Sequence, residues 1–120
     1  MPKRILVADD DPGIGDMLRE MLEEEGYEVE IQEDGQAVQQ MAEPFPDLLF
    51  LDIRLSGMDG RTICHHLKDQ QATSHLPIIL LSANKDTQRM AKDAGADDFL
   101  VKPFEMGDLL ALVAKYLGSG

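Results

Sequence analysis

Short apolar runs alternate with helix-like segments along this chain, and the alternation limits the fold more than any other feature. The runs cover residues 5–7, 28–31, 48–51, 78–81 and 99–101. Each is followed by apolar residues spaced three and four apart, as on one face of a helix. Strands that alternate with helices predict a mostly parallel sheet with right-handed crossovers and helices on both faces. Five such units fill the chain up to its Gly-Ser-Gly end.

The second run differs from the third in its pattern. Residues 28–31 alternate polar and apolar, whereas residues 48–51 are apolar throughout. Alternation indicates a strand with one wet face, so we expect the second strand at a sheet edge. Five units are too few for an eight-stranded barrel. The sequence therefore predicts an α/β fold, an open doubly wound (βα)5 three-layer sandwich with strand order 2-1-3-4-5, whose ligand site lies at the carboxyl ends of strands 1 and 3.

The predicted helices have identifiable ends and apolar faces. Asp11, followed by Pro12, suits the start of the first helix, Asp59 suits the start of the third, and the fourth covers about residues 86–94. The buried face of the first helix is predicted to hold Ile14, Met17, Leu18, Met21 and Leu22. That of the second is predicted to hold Ala37, Val38, Met41 and Ala42, and that of the third Ile63, Cys64 and Leu67.

Length and composition exclude several classes of protein. The 120 residues, 43% of them hydrophobic, suit one domain over residues 1–120. With 11 basic and 23 acidic residues, the net charge of -12 disfavours direct nucleic-acid binding. The single Cys64 forbids an intrachain disulfide and favours a reducing compartment. The apolar run at residues 5–8 is too short for a signal peptide or a membrane span, so we expect a cytoplasmic protein without membrane contact.

Polar residues follow four of the predicted strands at the same edge of the sheet. They are Asp9 and Asp10 after the first strand, Asp52 at the end of the third, Ser82 after the fourth and Lys102 after the fifth. Three converging carboxylates repel one another unless a divalent cation lies among them, and oxygen ligands with room for water suit Mg²⁺. A carboxylate beside Mg²⁺ can attack a phosphoryl group, for which Lys102 supplies positive charge and Ser82 a hydroxyl donor.

Each of these residues, taken singly, is more often structural than chemical. Asp11 is expected to be only an N-cap, and acidic residues favour helix N-termini in general. The coincidence of five polar residues on one rim favours the chemical interpretation. The histidines His65, His66 and His75 have no ligand spacing with cysteines or carboxylates, so we predict no transition-metal site.

Four ordered segments carry a resemblance to a known family. ILVADDD, LLFLDIRLSGMDG, PIILLSA and AGADDFLVKPF together resemble the receiver domain of two-component response regulators over essentially the whole chain. The resemblance implies a flavodoxin-like fold and a regulatory domain rather than an enzyme. It implies that Asp52 accepts a phosphoryl group from a phosphohistidine of a sensor histidine kinase or phosphotransfer protein, and that the domain relays the signal by changing its conformation.

The resemblance also implies roles for the other rim residues. Asp9 and Asp10 would hold Mg²⁺, or Mn²⁺ as a substitute, with Asp52 and the backbone carbonyl of Arg54 as further ligands. Lys102 would contact the acyl phosphate.

Two further residues are implied to carry the conformational switch. Ser82 would move toward the phosphoryl group, and Phe99 would turn into the space that Ser82 leaves.

The peptide bond between Lys102 and Pro103 is expected to be cis. The partner face would comprise the fourth helix, the fifth strand and the last helix, which serve a downstream effector domain or protein. The domain is expected to be a monomer or a phosphorylation-dependent dimer.

Three positions depart from or vary within the family pattern. Ser56 stands where a proline is frequent in the loop after the acceptor, so we expect a more mobile loop. Arg54 and Asn84 occupy positions that tune the lifetime of the phosphate in this family. We hypothesise that Arg54 pairs with a rim carboxylate when phosphate is absent.

Two alternatives from other classes remain. A phosphohydrolase with an aspartyl nucleophile usually has a second acid two residues further on, where this chain has Arg54. A receiver-like interaction module that works without phosphorylation is disfavoured because all five rim residues are present. The chain is either a complete single-domain regulator or the receiver part of a longer protein.

Overall fold

Five parallel strands form one sheet in the order β2-β1-β3-β6-β7 in the computed structural model, which describes residues 2–118. In chain order the elements are β1 (Arg4–Ala8), α1 (Pro12–Glu24), β2 (Glu28–Gln32), α2 (Gly35–Gln39), β3 (Leu48–Asp52), β4 (Arg54–Leu55), β5 (Met58–Asp59), α3 (Gly60–Lys68), β6 (Ile78–Ser82), α4 (Thr87–Ala94), β7 (Asp98–Val101) and α5 (Met106–Leu117). Strands β6 and β7 are the fourth and fifth of the predicted strands. The predicted order 2-1-3-4-5 is therefore confirmed.

The sheet divides the core into two apolar layers, because successive residues of a strand point to opposite faces. One layer holds Leu49 and Leu51 of β3 with apolar side chains of α2, α3 and α4. The other holds Leu48 and Phe50 with side chains of α1 and α5. The three-layer arrangement with helices on both faces follows, and the uninterrupted apolar runs of β3 and β6 are buried along their whole length.

Strand β2 lies at one edge of the sheet and pairs with β1 alone. Glu28 and Glu30 are exposed, whereas Val29 and Ile31 are half-buried against the layer below α1. The alternation in sequence thus predicted the edge position correctly.

Two of the predicted buried faces are wrong in part. Helix α2 ends at Gln39, and of the predicted face only Val38 is fully buried. Met41 packs against the core from beyond the helix, and Ala37 and Ala42 are exposed. Prolines at positions 44 and 46 follow closely, and a residue before proline is biased away from helical conformation. In α1, Met17 is 39% exposed, because the core contact of this helix is made by a narrower stripe around Leu18 and Leu22.

The segment after β3, which the sequence predicted only as a loop, contains a short hairpin. Strands β4 and β5 pair antiparallel across a turn of Ser56 and Gly57. Gly57 has a φ of 80°, a left-handed conformation that glycine adopts without steric cost. The carbonyl of Ser56 accepts a hydrogen bond from the N–H of Gly35, so the turn is tied to the start of α2.

Cys64 lies within the core layer below α3, as predicted, with none of its surface exposed. Burial raises the pKa of its thiol to about 11, which keeps the reactive thiolate scarce near neutral pH. We expect native protein at pH 7.5 to resist a maleimide reagent that labels it rapidly in urea, as followed by intact mass. Labelling at equal rates in both conditions would contradict the buried position.

None of the helices within residues 2–118 is both long enough and apolar enough to cross a membrane.

Candidate functional site

The carboxyl ends of four strands meet at one rim of the sheet. The parallel register pairs Ala8 with Leu51, Asp52 with Leu81 and Ser82 with Val101, so the strands end nearly level. A cavity of about 1110 Å³ opens there. The predicted rim residues line it together: Asp9, Asp10, Asp52, Ser82 and Lys102, with Arg54 and Asn84 beside them.

Lys102 lies between two buried carboxylates. Its ammonium group is 2.9 Å from Oδ2 of Asp9 and also donates a hydrogen bond to Oδ2 of Asp52. Asp9 is 1% exposed and Asp52 is 7% exposed. The backbone N–H of Lys102 donates to the carbonyl of Ser82, which fixes where the lysine side chain begins. Residues 93 and 50 positions apart in sequence thus form one ionic cluster.

Burial dominates the protonation of this cluster. It raises the pKa of Asp9 to about 6, although hydrogen bonds from Lys102 and from the N–H of Asp11 act in the opposite direction. The charge of Asp52 raises the pKa of Asp9 further. Burial by itself would lower the pKa of Lys102, but its bonds to Asp52 and Asp9 outweigh this effect and raise it. The cluster thus sets two carboxyl groups against a single ammonium group, so an additional cation would be attracted.

Backbone groups hold the other polar atoms of the rim. The N–H of Arg54 donates to Oδ1 of Asp52 over 2.9 Å, so both oxygens of that carboxylate are oriented. The N–H of Asn84 donates to Oγ of Ser82 over 3.0 Å. Because the Ser82 oxygen accepts this bond, its own proton remains available to an acceptor in the cavity.

The residues present fit a small divalent cation in chemistry. Asp9, Asp10 and Asp52 offer only oxygen ligands, which Mg²⁺ prefers. The two buried carboxylates, Asp9 and Asp52, are already gathered around the positive Lys102. In the positions that residues 2–118 adopt, no three acidic, histidine or cysteine side chains come together as a ready metal cage. A bound ion would therefore compete with the ammonium group of Lys102 for the carboxylates of Asp9 and Asp52. Water or substrate oxygens would fill the remaining coordination positions of the ion.

The remaining predicted residues lie close to the rim. Phe99 is half-buried in β7 and packs against the layer below α3 and α4. The peptide bond between Lys102 and Pro103 is cis. A second cis bond, between Glu43 and Pro44, had no signal in the sequence.

Arg54 does not make the ion pair that we hypothesised. Its side chain is exposed, and within the described part of the chain its guanidinium pairs with no carboxylate. The physical reason is that the rim carboxylates Asp9 and Asp52 are bonded to Lys102 instead.

Sequence reasoning missed Arg61, which lines the cavity together with Asp59. Asp59 caps α3 by accepting a hydrogen bond from the N–H of Arg61, and the guanidinium of Arg61 binds the same carboxylate. The signal was present, because an N-cap at position 59 places residue 61 in the first turn of α3, beside the rim.

Comparison with known proteins decides the family. The sequence profile of the response regulator receiver domain matches residues 5–114. The chain belongs to this family. It is a receiver domain of two-component response regulators, with the regulatory role that this implies.

Individual relatives agree with the family assignment. The DNA-binding dual master transcriptional regulator RpaA of Synechocystis sp. is 40% identical over 117 residues, which are 95% of this chain and 48% of that protein. The receiver domain thus spans about half the length of the curated relatives that it matches.

Solved receiver structures superimpose closely on this one. A putative response regulator from Chloroflexus aurantiacus is 38% identical, with a TM-score of 0.89 and 98% of both chains covered. The receiver domain of sensor histidine kinase PA1611 from Pseudomonas aeruginosa is 30% identical, with a TM-score of 0.88 and coverage of 99% and 100%. That structure has a magnesium ion coordinated in its active site cleft.

Proposed function

We propose that this receiver domain accepts a phosphoryl group on Asp52 from a phosphohistidine of a sensor histidine kinase or phosphotransfer protein, in a Mg²⁺-dependent reaction. The observation that supports this most directly is the Asp52 carboxylate itself. It ends the central strand β3 at an open cavity, with one oxygen on Lys102 and the other on the N–H of Arg54. These two contacts restrict the orientation of the carboxylate, which supports its role as a nucleophile toward phosphorus.

The rim supplies the nucleophile and the charge-stabilising groups for the phosphoryl transfer, and the donor supplies the leaving group. A carboxylate oxygen of Asp52 forms the new P–O bond, the P–N bond to the donor histidine breaks, and the electron pair leaves with the imidazole. Charge on the transferring oxygens is stabilised by the ammonium of Lys102 and the hydroxyl of Ser82. Asp9, Asp10, Asp52 and the carbonyl of Arg54 would hold Mg²⁺, or Mn²⁺ in its place, and the bound ion would neutralise phosphoryl charge.

The same rim would also serve loss of the phosphate. The cavity is open to water, and the cations that favour formation of the acyl phosphate also stabilise the transition state of its hydrolysis. The domain would thus assist its own phosphorylation and dephosphorylation while its role remains regulatory.

Ser82 and Phe99 would convert phosphorylation into a change of conformation. A phosphoryl group adds acceptor oxygens beside Ser82, which would leave its bond with the N–H of Asn84 and turn toward them. Phe99 would then rotate inward from its half-buried position in β7. The change can shift the population of conformations only as far as the phosphoryl group favours one of them. The face formed by α4, β7 and α5 would carry the change to a partner or to a second copy in a phosphorylation-dependent dimer.

We further propose that residues 1–120 form a single phospho-acceptor domain that works in the cytoplasm. Its output would pass through a downstream effector domain or protein, as the length of the relatives suggests. With a net charge of -12, this domain would not contact nucleic acid itself.

Intact mass spectrometry tests the central proposal. The wild-type domain is incubated with acetyl phosphate and Mg²⁺, beside a sample with chelator and the variant Asp52→Asn. We expect one added phosphoryl group that requires Mg²⁺, is released by hydroxylamine and is absent from the variant. An adduct of equal yield on Asp52→Asn, or none on folded wild-type protein given a cognate kinase, would rule the proposal out.

A further inference from the structure

The carboxylate of Asp59 lies within reach of two arginines. The β4–β5 hairpin pairs Asp59 with Arg54, and side chains directly opposite each other in an antiparallel pair share a face with Cβ atoms about 4.5–5.5 Å apart. Asp59 is nevertheless bound to Arg61. The guanidinium of Arg61 contacts Oδ1 through Nε at 3.1 Å and Oδ2 through Nη2 at 2.7 Å, a two-point geometry.

The guanidinium of Arg54 is placed to meet an anion in the cavity. The backbone N–H of the same residue holds Oδ1 of Asp52, so its side chain starts next to the acceptor carboxylate. It is exposed, lines the same cavity as Asp52 and Lys102, and makes no ion pair with another described residue. A planar guanidinium with several donors is well suited to phosphoryl oxygens.

We propose that Arg61 is a positioning residue which, by occupying Asp59, keeps Arg54 free to bind the anionic phosphodonor at Asp52. The inference rests on the proposed role of Asp52 as acceptor. Without Arg61, the Asp59 carboxylate takes Arg54 as its partner across the hairpin, and one cation is withdrawn from the cavity.

The charge state of Asp59 supports this competition. The hydrogen bond from Arg61 lowers the pKa of Asp59, and the N–H of Arg61 acts in the same direction. Arg61 thus stabilises the charged form of the carboxylate that it occupies.

The experiment measures the second-order rate constant for phosphorylation by acetyl phosphate with Mg²⁺, from time courses of intact mass. We expect Arg61→Ala to lower it about two- to five-fold, a factor typical of an exposed ion pair, and Arg54→Ala to lower it by a similar factor. The double variant of both arginines should be no slower than Arg54→Ala alone. High salt should reduce the effect, because the groups are exposed.

The variant Asp59→Asn is the background in which the effect of Arg61→Ala distinguishes the inference from its alternatives. Asparagine caps a helix as well as aspartate does, so α3 keeps its N-cap while the competing charge is removed. We expect Asp59→Asn to react at least as fast as wild type, and Arg61→Ala to have no effect when added to it. Arg89→Ala, which removes an equal charge from an exposed position on α4 outside the cavity lining, should leave the rate at the wild-type value.

The alternatives give different results. If Arg61→Ala is silent, or lowers the rate equally in the Arg54→Ala and Asp59→Asn backgrounds, Arg61 does not act through Arg54 and the inference is wrong. A wild-type domain that takes no phosphoryl group would instead contradict the proposed function, so the two failures are distinguishable.

Discussion

Lys102→Met is expected to lower the free energy of unfolding at pH 7 by about 2–4 kcal/mol, because the variant leaves buried charge without its partner. Methionine preserves most of the volume of the side chain. It removes the one ammonium group that bonds both Asp9 and Asp52, each almost fully buried. Urea unfolding in the presence of chelator measures the difference.

The loss should depend on pH with a definite sign. The pKa of Asp9 is already raised from 3.8 to about 6 in the folded protein, and removal of Lys102 takes away a group that lowers it. The folded variant therefore binds more protons than the unfolded chain between these values, and its stability rises as pH falls from 7 toward 4. The wild-type protein should gain less stability over the same pH range. Mg²⁺ should restore part of the stability at pH 7, since a divalent cation can replace the ammonium charge.

Lys115→Met is the matched control for this prediction. Lys115 also pairs with an aspartate, Asp98, but its side chain is 63% exposed and its pair is accessible to water. We expect almost no change in stability, since exposed ion pairs contribute little. Equal stability of Lys102→Met and wild type at pH 7 would show that the cluster between Asp9 and Asp52 does not need its cation.

Gly60→Ala is expected to destabilise the protein by about 3 kcal/mol or more and to lower phosphorylation of Asp52 at least about ten-fold. A Cβ at position 60 would lie 2.1 Å from the carbonyl oxygen of Asp52 and 2.9 Å from the Cα of Ile53. These are backbone atoms, so relief of the clash requires movement of the segment that carries Asp52, the proposed acceptor. The N–H of Gly60 also donates to the carbonyl of Ile53 at 2.6 Å, which holds α3 close to the end of β3.

Gly107→Ala is the control, because it adds the same methyl group to helix α5 with no heavy atom within 4 Å of its Cβ. There we expect a stabilisation of up to about 1 kcal/mol, from the better helix propensity of alanine. Thermal unfolding and the intact-mass time course measure both variants. Gly60→Ala with wild-type stability and reactivity would mean that the start of α3 is not packed against the end of β3 as the structure has it.

Local patterns predicted most of the fold. The two-residue period of residues 28–31 identified the edge strand, and the continuous apolar runs identified the strands buried on both faces. These signals are carried by residues that are neighbours in sequence, so they can be read without coordinates. The rim residues Asp9, Asp10, Asp52, Ser82 and Lys102 followed, since parallel strands place their carboxyl ends at one edge.

The errors occurred where the pattern was short or interrupted. Helix α2 has only five residues, and the apolar spacing that suggested a longer helix continued to Ala42, just before two prolines. The β4–β5 hairpin has two residues in each strand, too few to give an alternation.

The sequence by itself thus determined the order of the elements, the strand order and the polar residues that line the rim. Only the tertiary structure decided which atoms meet there. The ammonium of Lys102 lies between Asp9 and Asp52, Gly60 leaves room for the carbonyl of Asp52, and Asp59 binds Arg61 although Arg54 lies opposite it. The physical reason is that hydrogen bonds and ion pairs depend on distances of a few tenths of an ångström, which register and packing fix between segments far apart in the chain.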